Sequence, residues 1–430
     1  MTALEKYLAR HADLERWPLV SGDTAGIAQA VVIPVMAERD TLFSTLDSLA
    51  ADDPDELART LVVCVVNNRP GAGCMEENQE TLRRLWPLME NGGPLRLACV
   101  DASSPGCELP GEGGVGLARK IGMDRALGLL AHNGFTRGAL VCLDADTRVQ
   151  PGYLRAIRET LSRASAWAAV IDYAHPIELS PAEAAAIVCY ETFLRYHVMG
   201  LRMAGSPYAF HTIGSAMACR ADAYAAVSGM KPRQAGEDFY FLQALAKTGP
   251  VALIHDTVVW PSARPSVRVP FGTGARVRRH LAGMEDEYRL YDPRGYLFLR
   301  DWLLGVESRP DAGPDVLLAD AGPLRAFLEA RRFADIWPRL QANSRDARQA
   351  LWQFHRWFDG FSTIKCLHYL RDNGFPPVKS FDALAFLASE VDLPLPELGP
   401  GIEHDLERQK AVLWRLRDWA ASDPGPRGIA

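Results

Sequence analysis

Apolar and polar positions change their period along this chain, and the changes sort it into two regions. AVVIPV (30–35) is apolar without a break and rich in β-branched residues, the mark of a strand buried on both faces. TLVVCVVNN (60–68), LRLACVD (95–101) and GALVCLDADT (138–147) read the same way. Between them the period moves toward 3.6. DTLFSTLDSLA (40–50) sets Leu42, Leu46 and Leu49 on one face, NQETLRRLWPLM is a second helix, and GLARKIGMDRALGLLAHNG a third, which Gly134 stops. PGYLRAIRETLSR is helical and WAAVIDYAH a strand. SPAEAAAIVCYETFLRYHVMGLRMAG predicts a long helix with Ser180 as N-cap and Pro181 in the first turn. SAMACR is a strand, RADAYAAVSGM and GEDFYFLQALAKTG are short helices, and VALIHDTVVWP is the last strand. Strands alternating with helices imply a doubly wound α/β sheet. After about residue 275 only helical periodicity remains, so Trp302, Trp337, Trp352 and Trp357 read as helical core. The predicted organisation is an extension (1–29), an α/β domain (30–274), a helical carboxy-terminal domain (275–422) and a disordered tail (423–430).

Bulk properties narrow the partners. The 430 residues carry 47 Lys and Arg against 53 Asp and Glu, a formal charge of −6, so no global basic field draws in nucleic acid. The eight cysteines form no C-x-x-C pair and no zinc spacing, which favours reduced thiols. The amino terminus lacks a signal-like apolar core, and no stretch of about 18 uncharged apolar residues exists. The expectation is a cytoplasmic protein without a transmembrane helix, for which peripheral membrane association stays open.

Two acidic motifs and a glycine cluster carry candidate chemistry. Gly111, Gly113 and Gly116 match G-x-G-x-x-G, but ten residues, including Pro105 and Pro110, separate Gly111 from the preceding strand's end near Val100, which argues against a dinucleotide fingerprint. Either the cluster is loop punctuation, or it opens an anion site at the next helix, where Arg119 and Lys120 lie. Asp144 and Asp146 end an apolar strand, where alternate residues point to one side and suit a divalent cation with its phosphate partner. D-x-D alone is equally a polar turn. Glu237 and Asp238 start an apolar helix, where acids are also favoured by the helix dipole.

Taken in order, VVIPVMAERDTLFSTLDSLA, GVGLARKIGMDRAL, LVCLDADTRVQPGYL and GSAMACRADAYAAVSGMKPRQAGEDFYFLQALAKTG resemble the family 2 glycosyltransferases of the GT-A fold, over roughly residues 30–265. The resemblance implies a nucleotide-sugar-binding, mixed but mostly parallel sheet flanked by helices, followed here by an all-α carboxy-terminal region. It implies that Pro34, Val35, Ala37, Glu38, Asn67, Arg119, Asp144, Ala145, Asp146, Gly214 and Ser215 bind the nucleotide sugar. Asp146 with Asp144 would hold Mg²⁺ or Mn²⁺, and Asp238 would be the catalytic base with Glu237 beside it. Where relatives end the second strand in acids, this chain has Asn67 and Asn68, which leaves the base open. Some relatives carry a metal-ligand His after the ED helix. Here VVWPSARPSVR has none, His255 reads as structural, and Arg264 and Arg268 are candidates for the diphosphate. Tyr208 and His211, beyond the long helix, are acceptor candidates, whereas Tyr190, Phe193 and His197 fit a buried face. The expected activity is metal-dependent, inverting transfer of a sugar to a hydroxyl of a glycan, small molecule or lipid-linked acceptor. A sugar-phosphate nucleotidyltransferase and a non-catalytic nucleotide-sugar-binding module are the alternatives.

Overall fold

The computed structural model describes residues 3–111, 113–163, 165–266, 272–422 and 424–426. It divides into two compact units. Among the described residues the first comprises those of 3–176 and 212–262, and the second those of 177–211, 263–266 and 272–426.

The first unit is built on a nine-stranded sheet. Its strands are β1 Leu19–Ser21, β2 Gln29–Val35, β3 Thr60–Asn67, β4 Arg96–Ala102, β5 Ala139–Cys142, β6 Arg148–Val149, β7 Ala168–Tyr173, β8 Met217–Arg220 and β9 Val251–Trp260. Their spatial order is β1-β4-β3-β2-β5-β8-β7-β9-β6. The long ladders, β2 with β3 and β3 with β4, are parallel over seven residue pairs each. β2–β5 and β7–β9 are also parallel. The antiparallel ladders of β1, β6 and β8 are shorter. The expected mixed, mostly parallel α/β sheet is therefore the fold. Every position of β2 and β3 is buried, because helices cover both faces and leave no place for a polar alternation.

The helices of this unit are α1 Ala3–His11, α2 Leu42–Ala50, α3 Pro54–Leu57, α4 Met75–Glu90, α5 Val115–His132, α6 Tyr153–Ser162, α8 Ala221–Ala226 and α9 Glu237–Ala246. Gly134 at φ +81° takes up the left-handed backbone that ends α5. Residues 1–29 are not a separate extension. Trp17 is buried, β1 completes one edge of the sheet against β4, and α1 buries Leu4 and Tyr7.

The second unit is helical and begins earlier in sequence than its periodicity suggests. α7, Pro181–Met203, belongs to it, with Ser180 accepting from the Glu183 N–H at the predicted cap. The reason is burial: Tyr196, Met199 and Leu201 of α7 join one apolar cluster with Tyr296, Trp302, Phe333, Trp337 and Phe354. The predicted boundary at 274/275 is corrected accordingly. α10 Thr273–Leu281 and α11 Arg294–Ser308 lead into the remaining helices, the last being Leu406–Ala421. A two-residue ladder pairs β10 Arg289–Leu290 with β11 Val378–Lys379, too short to leave a sequence signal. Trp302 and Trp337 are core as expected, while Trp352 and Trp357 are only partly buried. Most of the predicted tail, 423 and 427–430, lies outside the described residues. Among the described residues no helix is long and apolar enough to cross a membrane.

Candidate active site

The carboxyl ends of β2, β3, β4 and β5 lie at one end of the sheet, where parallel α/β folds place their ligands. β8 runs the other way beside β5, with Met217 opposite Cys142, so Gly214 and Ser215 enter at that same end. Sequence-predicted residues of four distant segments, 34–38, 67, 144–146 and 214–215, are thereby placed at that end.

D-x-D is a turn rather than a continuation of the strand. β5 stops at Cys142, and the Thr147 N–H closes the turn onto the Asp144 carbonyl at 3.1 Å. The alternation argument for two carboxylates on one strand face therefore does not apply. α2 fixes it, since Thr45 Oγ1 donates to the Ala145 carbonyl at 3.0 Å. Ala145 is buried, and Asp144 and Asp146 are partly exposed.

Arg119 ties this turn to the start of α9. Its guanidinium donates to Asp144 Oδ1 and to Glu237 Oε1. Arg119 and Glu237 are each 3% exposed. Asp238 adjoins Glu237 and accepts from the Phe239 N–H at 2.7 Å. Burial first, and the Glu237 charge second, raise the Asp238 carboxyl above the usual carboxylate range, with Arg119 opposing. Ser215 Oγ is buried with no hydrogen-bond partner among the described residues, and so is Arg119 Nε.

The glycines serve close approach. A Cβ on Gly116 would meet the Arg233 carbonyl at 2.8 Å and Glu237 Cβ at 3.1 Å, and one on Gly114 would meet Gln234 Cα at 2.8 Å. The loop before α9 thus lies against the first turn of α5, and the Gly116 N–H donates to the Arg233 carbonyl at 3.3 Å. Close approach thus explains Gly114 and Gly116, while Gly111 has open space where a Cβ would stand. Gly214 is tighter still: a Cβ there would overlap the Arg119 guanidinium. That guanidinium is clamped by two carboxylates and cannot yield. Gly214→Ala is therefore expected to cost about 1–3 kcal/mol, read as a lowered melting temperature.

The ends of β2 and β3 are joined by amides. Asn78, fully buried on α4, accepts from the Ala37 N–H at 3.0 Å and donates to the Asn67 carbonyl at 2.9 Å and Asn68 Oδ1 at 2.8 Å. Asn67 spends its NH₂ on the Val35 and Val65 carbonyls at 3.1 and 3.0 Å. Ala37 is held at φ +54°, a left-handed conformation costly to a residue with a Cβ. Pro34 and Val35 are buried in β2. Glu38, also buried, accepts from Thr41 and starts α2 through its carbonyl. Asn78 was missed from sequence, because one amide in a polar helix turn carries no periodic signal.

Other candidates fall in the second unit. Tyr208 is buried, and its hydroxyl donates to the His355 carbonyl at 2.8 Å, so this side chain is spent in the helical core. His211 is partly buried, and burial pushes its imidazole well below the ordinary value, helped by Arg195. Arg264 also belongs to that unit, and Arg268 lies outside the described residues. Tyr190 and Phe193 pack against the unit's apolar clusters, in keeping with the core reading. His255 sits in β9, 4.0 Å from the Asp172 carboxylate of neighbouring β7.

Among the described residues no three His, Cys, Asp or Glu side chains gather as a ready metal cage. The two aspartates of the turn still suit a hard cation. Mg²⁺-type ions are commonly held by one or two carboxylates while substrate phosphates and water complete the shell.

Residues 139–309 match the family model described as glycosyl transferase family group 2. The match contains the D-x-D turn, Gly214 and the Glu237–Asp238 pair. No curated protein matches the chain. Among solved structures, TarS 1–349 of S. aureus in complex with UDP-GlcNAc is similar at 12% identity and a TM-score of 0.40, over 92% of this chain and 91% of that one. The mannosyltransferase PcManGT from Pyrobaculum calidifontis, in complex with GDP-Man and Mn²⁺, is similar at 15% identity and a TM-score of 0.38, over 96% and 91%.

Proposed function

We propose, from the premise that residues 139–309 are a glycosyl transferase family group 2 segment, that this chain moves a sugar from a nucleotide diphosphate sugar to an acceptor hydroxyl with inversion at C1. The observation that carries this reading is the Arg119 bridge. It joins the turn after β5 and the start of α9 through one guanidinium. Asp144 and Glu237 pair with one guanidinium, and the charge of Asp238 also acts on it; three acids on one cation leave an excess of negative charge that a second cation relieves.

In this reading Asp238 takes the proton of the acceptor hydroxyl as its oxygen attacks C1. The bond from C1 to the diphosphate oxygen breaks, and the nucleoside diphosphate leaves. A divalent cation would supply neutralising charge to the departing diphosphate, and Asp146 with Asp144 would hold it. Glu237, engaged by Arg119, positions Asp238 and raises its proton affinity. The uncharged amide ends of β2 and β3 favour reading the nucleoside through its shape and hydrogen bonds rather than through a carboxylate.

Assay of a nucleotide-sugar panel with Mn²⁺ tests the reading, and the anomeric configuration of the product tests inversion. A thermal shift tests the cation separately from turnover. A nucleoside diphosphate at about 100 times its Kd should stabilise by about 2.7 kcal/mol with Mn²⁺ present and by clearly less with chelator. Equal shifts would remove the cation from the proposal.

The pH profile follows from Asp238. Its proton is held more tightly in the folded chain than in the unfolded one. The stability this proton contributes is present in acid and declines as pH rises through the displaced pKa. Activity runs the opposite way, since the base must be ionised. The acid limb of kcat/KM is expected above the range of an ordinary aspartate; a limb within that range would show that the carboxyl is not desolvated.

A further inference from the structure

We propose that α1 is a positioning brace for Arg119, acting through a buried carboxylate that the reaction itself does not use. The catalytic part of this inference rests on the function proposed above; the structural part stands without it.

Asp124, on α5, is 4% exposed. Its Oδ1 accepts from the hydroxyls of Tyr7 on α1 and Tyr224 on α8, each at 2.7 Å, and its Oδ2 accepts from Lys120 Nζ. Lys120 also donates to Tyr7 Oη at 3.0 Å and to the His11 carbonyl, at the end of α1, at 2.9 Å. The Tyr7 and Tyr224 rings meet edge to face at 5.5 Å. A Cβ on Gly229 would overlap the Tyr7 hydroxyl, so the chain leaving α8 also closes on this point. Three helices therefore share one charge that cannot be left unpaired.

α5 needs such a constraint. It buries residues all round, with the sheet on one side and α1 on another, so no polar stripe sets its rotation. Lys120 follows Arg119 directly, and consecutive helix residues are about 100° apart. The face that Lys120 turns to α1 thus fixes where Arg119 points. A roll of about 10° would swing a group some 6 Å from the helix axis by about 1 Å. A misplacement of about that size, far from the chemistry, can cost two orders of magnitude in rate. The α5 contacts at Gly116 and Arg119 carry the same roll to the first turn of α9.

The test uses Tyr7→Phe in the full chain. Arg158→Met is the control, because it removes a donor from another buried carboxylate, Glu56, near the amino ends of β2 and β3. Tyr7→Phe is expected to lower kcat about tenfold with donor KM within about twofold. It should also speed hydrogen exchange at the amides of Tyr240 to Gln243, the first bonded turn of α9. Tyr224→Phe should reproduce both effects, and Arg158→Met neither, at a matched loss of melting temperature. Unchanged exchange in Tyr7→Phe, or equal change in the control, overturns the brace. If the native chain transfers no sugar from any donor, the proposed function fails, and exchange still decides the brace.

Discussion

Asp238→Asn is expected to lower kcat by about 10²–10⁴-fold, the usual worth of a positioned general base, while donor affinity stays near that of the native chain. The amide keeps the shape and removes the lone pair that takes the acceptor proton. Stability should not fall, because the replaced carboxylate is one whose charge the fold disfavours. The measurement is steady-state kinetics together with donor binding by calorimetry. Retained turnover would take the base away from Asp238. A loss confined to donor binding would move that residue to the donor side of the reaction.

Arg119→Met should do more damage, and to two properties at once. Glu237 is almost wholly buried and is engaged by this guanidinium. Removing one partner of a buried pair costs about 3–5 kcal/mol, since the other charge is left uncompensated. Asp144 contributes less to that loss, because its side chain is 34% exposed and water screens it. Denaturant unfolding measures the cost. The double variant with Glu237→Leu separates the two properties: it should regain most of the stability, as apolar replacements of buried pairs often do, and remain inactive. A single variant that loses less than about 1 kcal/mol would mean that the bridge does not form in solution.

Much of this was legible in the chain. Runs such as AVVIPV and TLVVCVVNN need a two-sided apolar environment, and only a covered sheet offers one. Carboxylates stand where one such run stops, at Asp144 and Asp146, and where an apolar helix starts, at Glu237 and Asp238, so all four are visible in the sequence. Other features depend on partners remote in sequence. An apolar stripe shows that α7 is buried, but not that the helices covering it come from beyond residue 272. β1 is a three-residue edge strand whose only reason for existing is β4. Tyr208 looked available because it follows a helix, yet the His355 carbonyl takes its hydroxyl. The glycine cluster reads in sequence as loop punctuation or an anion site, and the close approach at Gly114 and Gly116 appears only when the 233–237 segment is brought against them. Asp124 did carry a signal, an acid within the mostly apolar sequence of α5, where a charge must be answered by neighbours.

The interleaving of the two units has a bearing on how this polypeptide matures. α7 leaves the ribosome before β8, α9 and β9, yet the helices that cover its apolar side are encoded after residue 272. Domains generally fold as they emerge, amino-terminal part first. Here a 23-residue helix must wait, its greasy flank bare, while the sheet around its gene position is finished. A polypeptide stopped at residue 274 would keep every strand from β1 to β9 and still display that flank, a natural client for chaperones and a seed for aggregation.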